Sequence, residues 1–198
     1  MLYKLTVYSK NCLISSFGNA PEDITAKNAK EFIAYVANNW SYLSGSKSPL
    51  NGKFEHPWPY YFHGRDGVWG VHPEVDVDDV KLLSVWPHNK NVVSLAPMSG
   101  LVELTDIYRP CEITIMGGVF FEEGNETKYA ETNIAFDPEA AQKFFNHCNG
   151  IKAKVVPLDV TRQVFWTLDM VRKVVLVWKL MVKNVDRLLL IIIILNVK

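Results

Sequence analysis

Three segments decide the fold: Cys111-Glu-Ile-Thr-Ile-Met-Gly-Gly118, then Asp137-Pro-Glu-Ala-Ala141, then Ala153-Lys-Val-Val-Pro-Leu158. The first is a short apolar run, rich in β-branched residues, that stops at a Gly-Gly pair, as strands buried in a parallel sheet do. The second is a helix start, with Asp137 as N-cap, Pro138 at the first helical position and Glu139 in the first turn. This helix is expected to run to about Cys148, where Asn149-Gly150 stops it. The third segment is another apolar strand, ending at Asp159. Strand, loop, helix, strand predicts an α/β domain with a mostly parallel sheet and flanking helices, and ligands in such sheets gather at the carboxyl ends of the strands.

The same rhythm extends upstream. Asn91-Val-Val-Ser-Leu95 is a strand that stops at Pro97. An amphipathic helix is expected over residues 25–39, after the turn residues Pro21-Glu22-Asp23, with Ile24, Phe32, Ile33, Tyr35 and Val36 broadly on one face. The apolar segment before it ends at Gly18-Asn19. Residues 41–70 are rich in Gly, Pro, Ser and aromatics and read as one long loop, a candidate rim or lid of a binding site. His56, His72, His88 and His147 show no metal-ligand spacing, and loop or surface roles are expected for them. Trp58, Tyr60, Tyr61 and Trp69 suit either stacking on a ligand ring or packing of the loop.

The 198 residues carry 21 basic and 21 acidic side chains, 48% hydrophobic residues and 12% aromatics. That is ordinary folded composition, which excludes a disordered chain, and the zero net charge gives no footprint for nucleic acid or an anionic membrane. Three widely spaced cysteines, Cys12, Cys111 and Cys148, without a CxxC pair, point to a reducing, cytoplasmic compartment. The opening Met1-Leu-Tyr-Lys-Leu-Thr-Val-Tyr reads as an alternating strand and has no basic n-region or continuous apolar h-region. Residues 171–198 form an apolar tail set apart from the domain expected over 1–170. The tail's clean run, Leu188-Leu-Leu-Ile-Ile-Ile-Ile-Leu195, falls short of the roughly 20 apolar residues of a membrane span and reads as a buried or aggregation-prone strand. A membrane or partner anchor is the competing reading.

The loop after the Gly117-Gly118 pair holds Asn125, Glu131 and Asn133. Two amides and a carboxylate offer the donors and acceptors that a polyhydroxylated ligand such as a sugar requires, and Gly-Gly permits close backbone approach. Solvated loop residues are the alternative. Met116-Gly-Gly, Gly124-Asn125, Ala130-Glu-Thr-Asn-Ile134, Asp137-Pro-Glu-Ala-Ala141 and Pro157-Leu-Asp-Val-Thr161 occur in the order seen in inosine-uridine preferring nucleoside hydrolases, and the chain resembles that family over roughly residues 14–170. Upstream, Gly18-Asn19, His63-Gly-Arg-Asp-Gly and Ser94-Leu-Ala-Pro-Met-Ser-Gly-Leu resemble the family's Gly-Asn, His-Gly-x-x-Gly and Leu-Gly-Pro-Leu-Thr-Asn-Leu segments.

The resemblance implies cleavage of a purine or pyrimidine nucleoside to base and ribose by water, with calcium holding the ribose diol and the attacking water. It would place Asn125, Glu131 and Asn133 on ribose hydroxyls, Asn19 at the ribose edge, His63 on the side of the leaving base, and the main-chain carbonyl of Ser99 on calcium. It implies no membrane or nucleic-acid partner and is compatible with a homo-oligomer. The family's Asp-Thr-Asp-x-Gly-x-Asp-Asp cluster and its late His-Asp-Pro motif are absent from these 198 residues, so the nucleoside-hydrolase-like fold reads as incomplete. Asp76, Asp78 and Asp79 imitate the cluster but read as a solvated turn or helix start, and Asp159 reads as a cap or loop bond. Two functions therefore stand side by side: a ribonucleoside hydrolase, and an inactive truncated relative with a partial ribose pocket.

Overall fold

The computed structural model describes residues 11–36, 39–85, 91–107, 112–148, 150–165, 167–170 and 172–173. The expectations for residues 1–8, His88, Cys111 and the run 188–195 fall outside these residues. Two parallel three-stranded sheets form the frame. The first orders β1 (Cys12–Ile14), β2 (Ser41–Leu43) and β3 (Lys81–Leu82), with Cys12 opposite Ser41 and Ser41 opposite Lys81. The second orders β4 (Val92–Ser94), β5 (Glu112–Met116) and β6 (Lys152–Val156), with Val92 opposite Ile113 and Ile113 opposite Ala153. The α/β class and parallel sheets expected from the sequence are what the chain adopts.

Burial follows the pattern of each element. In β5, Ile113 and Ile115 are fully buried and their neighbours only partly so, which makes one face the core. Those isoleucines pack with Met98, Leu101 and Val102 of the α3 region (α3, Ser99–Ile107) and with Ala140, Ala141 and Phe144 of α5 (Pro138–His147). Burying a side chain the size of Phe144 stabilises by about 2 kcal/mol. The smaller cluster of Ala29, Ile33, Tyr42 and Val80 joins α1 (Glu22–Val36) to the first sheet. Ile14 and Leu43 of the first sheet also pack against the second sheet's core, which ties the two halves together.

Three local expectations change. The first helix begins at Glu22, not Thr25, because Pro21-Glu-Asp starts the helix with acidic residues in the first turn, favourable at its positive end. Glu22 itself turns inward, 7% exposed, and accepts hydrogen bonds from the hydroxyls of Ser15 at 2.5 Å, Ser44 at 3.0 Å and Tyr42 at 3.4 Å. Residues 41–70 are not one loop, since they contain β2 and the short helix α2 (Tyr60–His63). The last strand ends at Val156, and Leu158–Thr161 forms α6 where a strand end was expected.

Asp137 is the N-cap that the sequence indicated, and it does more than cap. At 1% exposure it accepts from the Ala140 N–H at 2.9 Å, the Leu50 N–H at 2.9 Å and the Ser99 hydroxyl, so it fastens the start of α5, the start of α3 and the loop after β2 at one point. Removing one buried acceptor orphans three donors, each of which costs about 1–3 kcal/mol. Asp137→Ala is therefore expected to lower stability by about 3 kcal/mol or more, read from urea unfolding; a loss under about 1 kcal/mol would show the bonds to be of surface strength.

Candidate functional site

The carboxyl ends of β1, β4 and β5 converge on one region. β5 runs into Gly117-Gly118, and Gly118 adopts φ +78°, a conformation open to glycine at little cost. This turn aims the Gly118 N–H at Glu131. Glu131 precedes α4 (Thr132–Ala135), is 2% exposed, and its Oε2 accepts from Gly118 N at 3.0 Å, Asn133 N at 3.0 Å and Ile134 N at 3.3 Å. Burial pushes its carboxyl above the ordinary glutamate value, and the three N–H donors offset only part of that rise.

Asn133 is the second residue of α4. Its Nδ2 donates to the Met116 carbonyl at 3.1 Å and touches the Met116 sulfur at 3.4 Å. The amide is thus pinned to the end of β5, and its Oδ1 has no protein partner among the described residues. Asn133 lines a cleft of about 410 Å³ together with Gly18 and Asn19 beyond β1 and with Ala96 and Pro97 beyond β4. Asn19 is exposed, as an edge residue of such a cleft should be.

The other candidates lie around this cleft without lining it. Asn125 is exposed, and its Oδ1 accepts from Thr132 N at 3.0 Å, which caps α4 from outside. Ser99 is fully buried at the start of α3 with its hydroxyl on Asp137. His63 ends α2, half-buried, and its ring has no hydrogen-bond partner among the described residues. Burial pushes its imidazole below the ordinary histidine value, so the ring is neutral at neutral pH. The loop that follows is anchored by Asp66, which accepts from Val68 N at 3.1 Å and Gly70 N at 2.7 Å, and whose carbonyl takes the Asn28 amide at 2.8 Å. A Cβ on Gly64 would come within 2.9 Å of the Trp69 nitrogen, so only glycine fits that turn.

Several side chains left open in the sequence are placed by packing. Trp58 stacks on Phe54 at 4.2 Å, and Phe54 meets Phe136 edge-on at 4.9 Å, so Trp58 belongs to the loop's own packing. Tyr61 stays 76% exposed. Asp159 accepts from Phe120 N at 2.9 Å and Phe121 N at 2.7 Å, a loop bond that outweighs the upward push of burial and leaves its carboxyl below the ordinary value. Asp76, Asp78 and Asp79 are an exposed turn closed by the Asp78 N–H on Asp76 Oδ1 at 2.9 Å. His56 reaches Glu126 at 3.0 Å, and His72 sits between Glu31 at 2.6 Å and Asp66 at 3.2 Å. The bridge made by His72 and the Ser15–Glu22–Tyr42–Ser44 cluster had no sequence signal beyond the misread helix start.

Calcium requires six to eight hard oxygens with enough carboxylate charge among them. Among the described residues no three His, Cys, Asp or Glu side chains converge as a metal centre. Glu31, the carboxylate that lines the cleft, faces His72 at 2.6 Å and Lys27 at 3.8 Å, and Glu131 Oε2 is committed to three N–H groups. The described residues therefore do not form a calcium site by themselves.

A parallel α/β frame with amides and a buried carboxylate beyond the carboxyl ends of its strands places the candidate ligand site where such sheets bind ligands. The family model of the inosine-uridine preferring nucleoside hydrolases matches residues 11–192, and the chain belongs to that family. It is 31% identical over 139 residues to a probable uridine nucleosidase 2 of rice, covering 62% of this chain and 40% of that protein. It is 28% identical over 171 residues to the non-specific ribonucleoside hydrolase RihC of Salmonella paratyphi A, covering 79% of this chain and 55% of that one. A solved plant nucleoside hydrolase superposes with a TM-score of 0.71 at 25% identity, over 83% of this chain and 56% of that one. The chain thus spans about half the length of the relatives it matches. No helix among the described residues is long and apolar enough to cross a membrane.

The raised carboxyl of Glu131 carries a signed expectation. A carboxyl whose native pKa lies above its unfolded one binds more protons when folded, so its contribution to stability falls as pH rises through that interval. Glu131→Gln keeps an acceptor oxygen and removes the titration. Relative to that variant, the parent's urea midpoint should decline as pH is raised from about 4 to about 7; a constant difference would show that Glu131 is not held above its ordinary value.

Proposed function

We propose that the chain serves hydrolysis of the N-glycosidic bond of a ribonucleoside, releasing free base and ribose for salvage, and that it supplies the ribose-binding side of that reaction. The observation that carries the reading is Asn133. Its Nδ2 is fixed on Met116, and its Oδ1, without a partner among the described residues, belongs to a residue that lines a cleft shared with Asn19. A ribose hydroxyl can donate to Oδ1 while the amide stays held on Met116, so little ordering cost falls on this side chain. Glu131 holds the Gly118 turn and the first turn of α4, so in this reading it positions Asn133 as well as offering its second oxygen to the sugar.

Family membership and the printed activities of the rice and Salmonella relatives support the reaction class. In the reaction, water adds to the anomeric carbon as the bond to the base breaks and the base nitrogen takes up a proton. The described residues bind and orient the sugar for this step. His63 is proposed on the side of the leaving base, where a neutral ring offers a donor to a base nitrogen or carbonyl. The free thiols Cys12 and Cys148 support a reducing, cytoplasmic setting.

The test is release of base from inosine and from uridine by the full chain, with nucleoside binding measured by calorimetry alongside. Asn133→Ala should weaken nucleoside binding about tenfold, the loss of one well-placed hydrogen bond. Unchanged affinity for both nucleosides in Asn133→Ala would remove the residue from the sugar site.

A further inference from the structure

The loop that carries Asn125 and Glu131 is gripped from behind by α6. β5 and β6 pair in parallel up to Met116 and Val156, and the ladder continues past them. Gly117 N–H donates to the Val156 carbonyl at 3.2 Å, and Leu158 N–H to the Gly118 carbonyl at 2.8 Å. Beyond that point the side chains of α6 take over. Asp159 gives one oxygen to each of two donors, Oδ2 to Phe120 N–H at 2.9 Å and Oδ1 to Phe121 N–H at 2.7 Å. Arg162, the C-cap of α6, donates to the Glu122 carboxylate at 2.9 Å and to the Glu123 carbonyl at 2.8 Å. The segment from Gly118 to Glu123 is therefore fastened along its length to one short helix.

The rest of the loop is a unit of its own. Gly124 N–H donates to the Lys128 carbonyl at 3.0 Å, Glu126 N–H to the Ala130 carbonyl at 3.2 Å, and Asn125 Oδ1 accepts from Thr132 N–H at 3.0 Å. Residues 124–131 thus close on themselves and on the start of α4. The closure is tight, since a Cβ on Gly124 would lie 2.2 Å from the Ala130 carbonyl oxygen. This unit joins the fastened segment at Glu123 and Gly124, and the Arg162 bond to the Glu123 carbonyl falls on that junction. At the other end Gly118 is bonded to α6 through its carbonyl and to Glu131 through its N–H at 3.0 Å. Any shift of residues 118–123 is passed on to Asn125 and Glu131, whereas a binding constellation has to be held within about 0.5 Å of its productive geometry.

We propose that Asp159 and Arg162 are positioning residues for the sugar site: from α6 they fix residues 118–123, and through them the placement of Asn125, Glu131 and Asn133. The inference rests on the ribose reading and names the support that reading requires. Neither residue belongs to the cleft lining, so both act through the loop. Asp159 grips backbone N–H groups, so its hold is indifferent to the side chains of Phe120 and Phe121, which are 65% and 94% exposed. Burial pushes its carboxyl up, and the backbone N–H groups of the loop outweigh that push, so Asp159 is an ionised acceptor at neutral pH. Hydrogen bonds to a charged acceptor are roughly twice as strong as neutral ones.

Asp159→Ala and Arg162→Ala in the full chain test it. Affinity for inosine and uridine is measured by calorimetry, and the side-chain amide signals of Asn125 and Asn133 are followed by NMR without ligand. Each variant should weaken both affinities about tenfold and move both amide signals, while the β5 and β6 amides stay protected from exchange. Asp159→Asn, which keeps one acceptor oxygen, should bind within about threefold of the parent. Phe121→Ala, which changes only a side chain, should bind as the parent does. Should Asp159→Ala lose protection in β5 and β6, Arg162→Ala decides alone, its side chain being 35% exposed. Amide signals that stay in place in the folded alanine variants, affinities they retain in full, or an Asp159→Asn as weak as Asp159→Ala would each overturn the assignment. A parent chain that binds neither nucleoside would strike the ribose reading itself, a result seen before any variant is made, and the proposed role in sugar binding falls with it.

Discussion

A carboxylate withdrawn from water has to collect enough N–H and O–H donors to hold its charge, and this fold is organised around that constraint. Asp137 is the central instance. One side chain takes donors from α5, from α3 and from the loop after β2, so three segments distant in sequence share a single fixed point. Glu131 repeats the device at the end of β5, where it draws Gly118 and the first turn of α4 together. Glu22 repeats it at the end of β1 with three hydroxyls. Each sits where strands stop and helices start, so the satisfied charges shape the rim where a ligand of an α/β sheet binds.

Position at that rim separates the candidate residues. Asn133 and Asn19 reach the cleft, and Glu131 and Asn125 hold the helix that presents Asn133. Ser99 and Asp137 form the buried support beneath. His63 ends a short helix at the head of a glycine-rich loop that Asn28 ties to α1. A residue that touches a ligand and one that aims its neighbour can carry the same motif in sequence, and only the hydrogen-bond partners tell them apart.

The parts of the fold legible in the sequence were those whose signal is local. β4 and β5 are β-branched runs closed by breakers, and α5 carries cap, Pro and first-turn acid together, so their bounds were readable to within a residue or two. The start of α1 was misread because Pro-Glu-Asp marks a helix start as well as a turn. β2 escaped because Ser41-Tyr-Leu is three residues of mixed polarity whose strand character comes from pairing with β1 and β3. At the site, the cluster of Asn125, Glu131 and Asn133 was visible as chemistry. The inward turn of Glu22 and the triple role of Asp137 were not, since both depend on donors from segments remote in the chain.

The central claim is that Asn133, held by Met116 beside Asn19, accepts a sugar hydroxyl. Side-chain amide NMR of the full chain titrated with ribose, without the base, tests it most directly. The account predicts that the Asn133 and Asn19 amide signals shift together along one saturable curve, with the Asn51 amide on the exposed turn after β2 unmoved. Ribose that binds while the Asn133 signal stays in place would contradict it.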